Sequence, residues 1–140
     1  TSMVLVNNSS TDSIFYIKLA VYAGLGCTDT ITQYVTVHPN PTVNFTATEQ
    51  CLGDATLFQD SSVQATAPLS SWNWDFGDGN ISAQQSPQHT YALPGIYLAT
   101  LLVTDTNGCS DAFTDSVFVY SLPAAAFNLN YSSFQRKFVT

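Results

Sequence analysis

The sequence predicts an all-β fold, a two-layered sandwich built from repeated units, and three observations predict it. Aromatic and β-branched residues alternate with polar ones in short runs. Turn signals separate those runs, clearest in the glycine-rich tetrad Gly77-Asp78-Gly79-Asn80, and the chain matches itself at a fixed offset of 82 positions.

The alternation is clearest in Trp72-Asn73-Trp74-Asp75-Phe76, where an extended strand would place three aromatic rings on one face. That face has to be buried. Gly77-Asp78-Gly79-Asn80 follows at once and supplies two glycines where a tight antiparallel reversal needs positive φ. Strands are expected near 42–48, 54–61, 70–76, 81–85, 88–92, 96–105 and 112–120, seven short segments separated by turn signals. In the last two, Tyr97, Leu101 and Val103 share one parity, as do Phe113, Val117 and Val119, so these side chains are the expected core.

Shifting the chain by 82 aligns Ile14 with Ile96, Leu19 with Leu101, Val21 with Val103, Gly26 with Gly108 and Cys27 with Cys109. The same shift pairs Asp29 with Asp111, Thr32 with Thr114, Val35 with Val117, Val37 with Val119, Pro41 with Pro123 and Phe45 with Phe127. Eleven ungapped identities of this kind mark domains strung in tandem. Residues 1–38 then read as the back half of one unit, 39–121 as a complete unit, and 122–140 as the opening strands of a third. Pro39-Asn40-Pro41 and Leu122-Pro123 mark the junctions, where proline stiffens the linker.

The run Trp74-Asp75-Phe76-Gly77-Asp78-Gly79 resembles the WDFGDG signature of PKD domains, and His89-Thr90-Tyr91 and Pro94-Gly95-Ile96-Tyr97 extend the resemblance over residues 41–123. It implies an Ig-like, PKD-type β-sandwich in tandem repeats. Such arrays occur in large bacterial cell-surface adhesins, including those of gliding bacteria. The resemblance therefore implies an extracellular spacer, non-enzymatic, whose partners are neighbouring PKD-like domains and other surface proteins or polysaccharide. Two other roles fit it: an accessory binding module of a secreted hydrolase, since PKD domains also accompany chitinases and collagenases, and a subunit of an extracellular filament.

Charge narrows the partners. Ten acidic residues face only Lys18, Arg136 and Lys137, for a formal net charge of −7, and no Lys or Arg lies between Ala20 and Gln135. Such a surface repels phosphate backbones, which excludes nucleic acid as a partner. A hydrophobic content of 45% with strand-like alternation argues for a folded protein over a disordered one. No run approaches the ~18 apolar residues of a membrane helix, so membrane insertion is not expected, and residues 1–10 lack the pattern of a signal peptide.

Of the three cysteines, Cys51 opens the second strand region and Cys109 sits in the turn Thr106-Asn107-Gly108-Cys109, 58 residues later. A Cys51–Cys109 disulfide is expected, with about 4 kcal/mol of loop-entropy stabilisation. Cys27, the counterpart of Cys109, would pair outside the sequence. The alternative is three free thiols.

No catalytic constellation is present: there is no GxSxG, no phosphate-binding glycine loop, and no nucleophile beside a base. Asp75 and Asp78 are expected to brace the hairpin as Asx-turn acceptors. The family resemblance leaves room for calcium there, although no DxDxDG loop supports it. His38 and His89 do not form a zinc set. Phe118 and Tyr120 lie on the parity opposite Val117 and Val119 and form a candidate outward interaction patch. Asp12-Ser13-Ile14, Asp29-Thr30-Ile31 and Asp115-Ser116-Val117 resemble a bacterial O-glycosylation triplet, which makes Ser13, Thr30 and Ser116 candidate modification sites.

Overall fold

The computed structural model describes residues 3–126. An antiparallel hairpin comes first, β1 (Ser13–Tyr22) and β2 (Thr28–Val37), joined by a tight turn at Gly24–Gly26. The sandwich follows with β3 (Phe45–Ala47), β4 (Gln50–Cys51), β5 (Thr56–Asp60), β6 (Leu69–Asp75), β7 (Ile81–Ser82), β8 (Gln88–His89), β9 (Gly95–Asp105) and β10 (Ser110–Tyr120). Each of the seven expected strands overlaps one of these; β4 was not anticipated, because two residues carry no readable period.

The sandwich has two layers. One sheet has five strands in the order β4-β10-β9-β6-β7, and the other has three in the order β3-β5-β8. Neighbours are antiparallel except β4, which lies parallel to the end of β10 through Val119↔Gln50 and Tyr120↔Cys51. The long β9–β10 hairpin dominates, eleven residues on each arm, with Tyr97, Ala99, Leu101 and Val103 of one arm and Phe113, Val117 and Val119 of the other on the inward parity.

Between the sheets lie Phe45 and Phe58 from the smaller one, and Trp74, Ala99, Leu101, Val103, Val117 and Val119 from the larger. Trp74 is fully buried. Its ring meets Phe45 edge-on at 5.0 Å and Phe58 at 5.3 Å, geometries that favour the ring quadrupoles. Burying a side chain of this size contributes roughly 3 kcal/mol from area alone. The expected core parity in β9 and β10 therefore holds, and β3 to β10 enclose one core.

The structure overturns the expected disulfide. All three cysteines are unpaired. Cys51 lies opposite Tyr120 at one end of β10, whereas Cys109 immediately precedes Ser110 at the other end. A strand of that length spans about 33 Å at ~3.3 Å per residue, far beyond the ~7 Å Cα separation a disulfide tolerates. Spacing in sequence suggested proximity, but the hairpin carries the two thiols to opposite poles.

Hairpin β1–β2 forms its own two-stranded sheet. Among the described residues its flanks reach the sandwich through Asp12 Oδ1, which accepts from the Thr66 hydroxyl at 2.9 Å and also from His38 Nδ1 at 2.9 Å, and through the His38 carbonyl, 4.0 Å from Cys109 Sγ. Residues 121–126 have no regular secondary structure, and the rest of the expected third unit, including Phe127, lies outside the described residues. Among the described residues no helix is long and apolar enough to cross a membrane.

Candidate functional site

The signature hairpin is built to hold shape. Trp74 donates its indole N–H to the carbonyl of Gln84 at 2.9 Å, which satisfies its only polar atom inside the core. Asp75 Oδ1 accepts the Gly77 N–H at 2.9 Å, and Phe76 N–H donates to the Asn80 carbonyl at 3.1 Å, closing the reversal. Gly77 and Gly79 have φ of +79° and +91°, the left-handed region expected of them.

Asp78 gathers the remaining donors. Its Oδ1 accepts Asn80 N–H at 3.1 Å, while its Oδ2 accepts Asn80 Nδ2 at 3.0 Å and lies 2.8 Å from His89 Nε2. Burial pushes this carboxyl up, but the donors from His89 and Asn80 outweigh it, and the net shift is below the usual carboxylate range. The His89 ring stacks flat on Phe76, 4.3 Å between centroids with 4° between planes, and meets Tyr91 edge-on at 4.6 Å. Tyr91 in turn donates its hydroxyl to the Phe76 carbonyl at 3.0 Å, and burial drives its phenol well above the normal range. The His-x-Tyr segment is thus the far wall of the hairpin.

Both hairpin carboxylates are engaged by these structural donors, the Asx-turn role expected for them. Among the described residues no group of three or more His, Cys, Asp or Glu side chains converges to hold a metal ion.

The outer face of the five-stranded sheet is the more suggestive surface. Phe118 and Tyr120 point outward as their parity required, 36% and 51% exposed. Sequence reasoning missed their neighbours on β9: Ile96, Leu98 and Leu102 are 66%, 64% and 40% exposed, and Ile96 sits directly opposite Phe118. The same parity rule applied to β9 would have found them. Ile96, Leu98, Phe118 and Tyr120 make an apolar patch at one end of this face, and Thr100, whose hydroxyl bonds that of Thr114 at 2.8 Å, separates the patch from Leu102. Tyr120 donates its hydroxyl to Glu49, a bond that raises the Tyr120 phenol with burial adding to it.

The candidate modification residues are not brought together. Thr30 is exposed on β2 and Ser116 on β10, and each gives its backbone N–H to the preceding aspartate, at 2.8 Å and 2.7 Å. Ser13 is partly covered, with its hydroxyl 3.0 Å from Asn7 Oδ1.

Residues 38–119 match the family model of the PKD domain. The chain belongs to the PKD domain family. It is similar to a microbial collagenase of Vibrio alginolyticus, 31% identical over 84 residues that make up 60% of this chain and 10% of that protein. Among solved structures, the PKD1 domain of Vibrio anguillarum Epp superposes with a TM-score of 0.57 at 28% identity, covering 60% of this chain and 98% of that one. A structure described in terms of carbohydrate-binding modules of the β-sandwich superfamily gives a TM-score of 0.57 at 28% identity, over 59% of this chain and 35% of the other. The PKD domain is a non-catalytic module, and this chain spans only about a tenth of the collagenase that it matches.

Proposed function

We propose that residues 39–121 are an accessory module of a larger extracellular protein, holding the rest of that protein in contact with a polymeric substrate, either polysaccharide or protein fibre. The observation that carries this reading is one of proportion. The unit accounts for 98% of an independently solved PKD1 chain, yet only a tenth of a collagenase. It is a self-contained part that recurs beside catalytic machinery without supplying any. The patch Ile96, Leu98, Phe118 and Tyr120 offers the contact surface, and the scarcity of basic residues favours a neutral polymer over an anionic one.

Co-sedimentation of the 140-residue chain with fibrillar collagen and with chitin tests this. Retention above that of an inert protein, lost in an Ile96→Thr/Phe118→Thr variant of unchanged stability, is the expected result. Failure to sediment with either polymer discards the contact role.

A second reading, a spacer in a long surface-exposed array of the adhesin type, is favoured by the hairpin. β1–β2 and β9–β10 share one pairing register at an offset of 82 residues, as Ile14↔Thr36 and Ile96↔Phe118 illustrate. Under this reading 1–38 is the back half of one unit and 122–140 opens another.

A further inference from the structure

Hairpin β1–β2 repeats β9–β10 in detail. The pair Leu19↔Ile31 stands 82 positions before Leu101↔Phe113. The bond that closes the ladder, Ala23 N–H to Cys27 carbonyl at 2.9 Å, recurs as Asp105 N–H to Cys109 carbonyl at 2.9 Å. Gly26 and Gly108 make the same left-handed step, at φ +80° and +84°.

The two hairpins differ in what covers them. On β9–β10 the inward residues Ala99, Leu101, Val103 and Val117 are buried under the three-stranded sheet, and the outer edge of β9 pairs with β6. Their counterparts Ile17, Leu19, Val21 and Val35 are exposed, and among the described residues β1 pairs only with β2. A shallow groove of about 330 Å³ runs between Ile17, Leu19, Ile31 and Gln33. An apolar sheet face beside an unpaired strand edge invites both packing and strand addition.

We infer that this face and the free edge of β1 are the docking surface for the front half of a second PKD-type unit. The occupant is a segment with the strand pattern of residues 43–91, carried on the N-terminal side of β1 in the same polypeptide. The complete unit shows how it fits. Phe45 packs edge-on against Phe113 at 5.5 Å, so the occupant's first core aromatic sits over Ile31 and fills the groove. Trp74 lies across from Leu101 in the β6–β9 ladder, so the occupant's tryptophan strand pairs with the β1 edge beside Leu19. Gln33 stands where Asp115 stands, leaving the groove free of charge and suited to an apolar partner. The inference rests on the register correspondence and not on which polymer the complete unit contacts.

A fusion built only from this sequence tests it. Residues 39–93 are duplicated and joined directly to Asp12 of the remaining chain, which preserves the repeat spacing because 94 − 12 = 82. Amide exchange in β1 should slow by about 100-fold relative to the unfused chain, and binding of a hydrophobic dye should fall. Trp74→Ser in the added copy alone should abolish the slowing, while residues 39–121 keep their protection as an internal control. Unchanged exchange in β1 with residues 39–121 intact overturns the inference. So does an unfused chain that sediments as a dimer with β1 already protected, because the face then belongs to a second copy. Should the fusion not fold, the unfused chain still decides: Leu19→Ser/Ile31→Ser must reduce dye binding without altering the melting of residues 39–121, and dye binding that does not respond overturns the inference.

Discussion

Gly77 lies so close to Leu98 that a Cβ added there would stand 2.5 Å from the Leu98 carbonyl oxygen and 3.0 Å from its amide nitrogen. The turn of the signature hairpin is pressed against the backbone of β9, with nothing soft between them. Gly79, two residues on, has a similar φ but open space around it.

Gly77→Ala should therefore cost about 3 kcal/mol or more, combining left-handed strain with a backbone clash, whereas Gly79→Ala should cost about 1 kcal/mol from conformation alone. Urea unfolding of both variants checks this. Equal losses would mean that the close approach to Leu98 is relieved at no cost.

Trp74→Ala should destabilise by about 4 kcal/mol, since the indole is wholly buried among Phe45, Phe58 and Phe76. Trp74→Phe should lose less, about 2 kcal/mol, retaining ring contacts but leaving the Gln84 carbonyl without its donor. A phenylalanine variant as unstable as the alanine one would show that the hydrogen bond, not the packing, dominates.

Acid should loosen the hairpin. The Asp78 carboxyl is held below its unfolded value of ~3.9, so the unfolded chain binds the proton more readily. Its stabilising contribution is complete above about pH 4 and is lost as pH falls through the lowered folded value. Asp78→Asn should be less stable at pH 7, with a shallower loss of stability on acidification below pH 4. Asp60 also titrates low: burial pushes it up, but donors from Ser62, Gln85 and Trp72 outweigh that, so some acid sensitivity should remain in the variant. Identical acid slopes in the wild type and Asp78→Asn would remove Asp78 from the explanation.

Without reductant, all three thiols should alkylate in the native protein. Cys27 and Cys51 are exposed and should react first. Cys109 should lag, because it is partly covered and its thiol is pushed up by burial and by the charges of Asp105 and Asp12. A mass two units below the reduced protein, with Cys51 and Cys109 unreactive, would restore the discarded disulfide.

Much of the sandwich was legible in the sequence because its signals are local. Parity alone places Leu101, Val103, Val117 and Val119 in the core, and the paired glycines place the reversal after Phe76. What stayed hidden depends on how distant segments meet. The two residues of β4 join β10 through a parallel pairing that no period announces, and the separation of Cys51 from Cys109 follows from hairpin length and topology rather than from composition. For the contact patch, Phe118 and Tyr120 were readable, but Ile96 became their partner only once the β9–β10 register was known.

The parallel pairing of β4 with the end of β10 has a mechanical consequence. Leu52 N–H donates to the Tyr120 carbonyl at 2.8 Å beside the Val119↔Gln50 and Tyr120↔Cys51 pairs, so an early strand and the last strand run side by side in one direction. Tension applied at the two ends of the unit loads β3 against β5 first, and then drags β4 and β10 in opposite senses along their length. The bonds between them are loaded simultaneously and must rupture together, so the unit resists stretching more than an unzipping hairpin of the same size would.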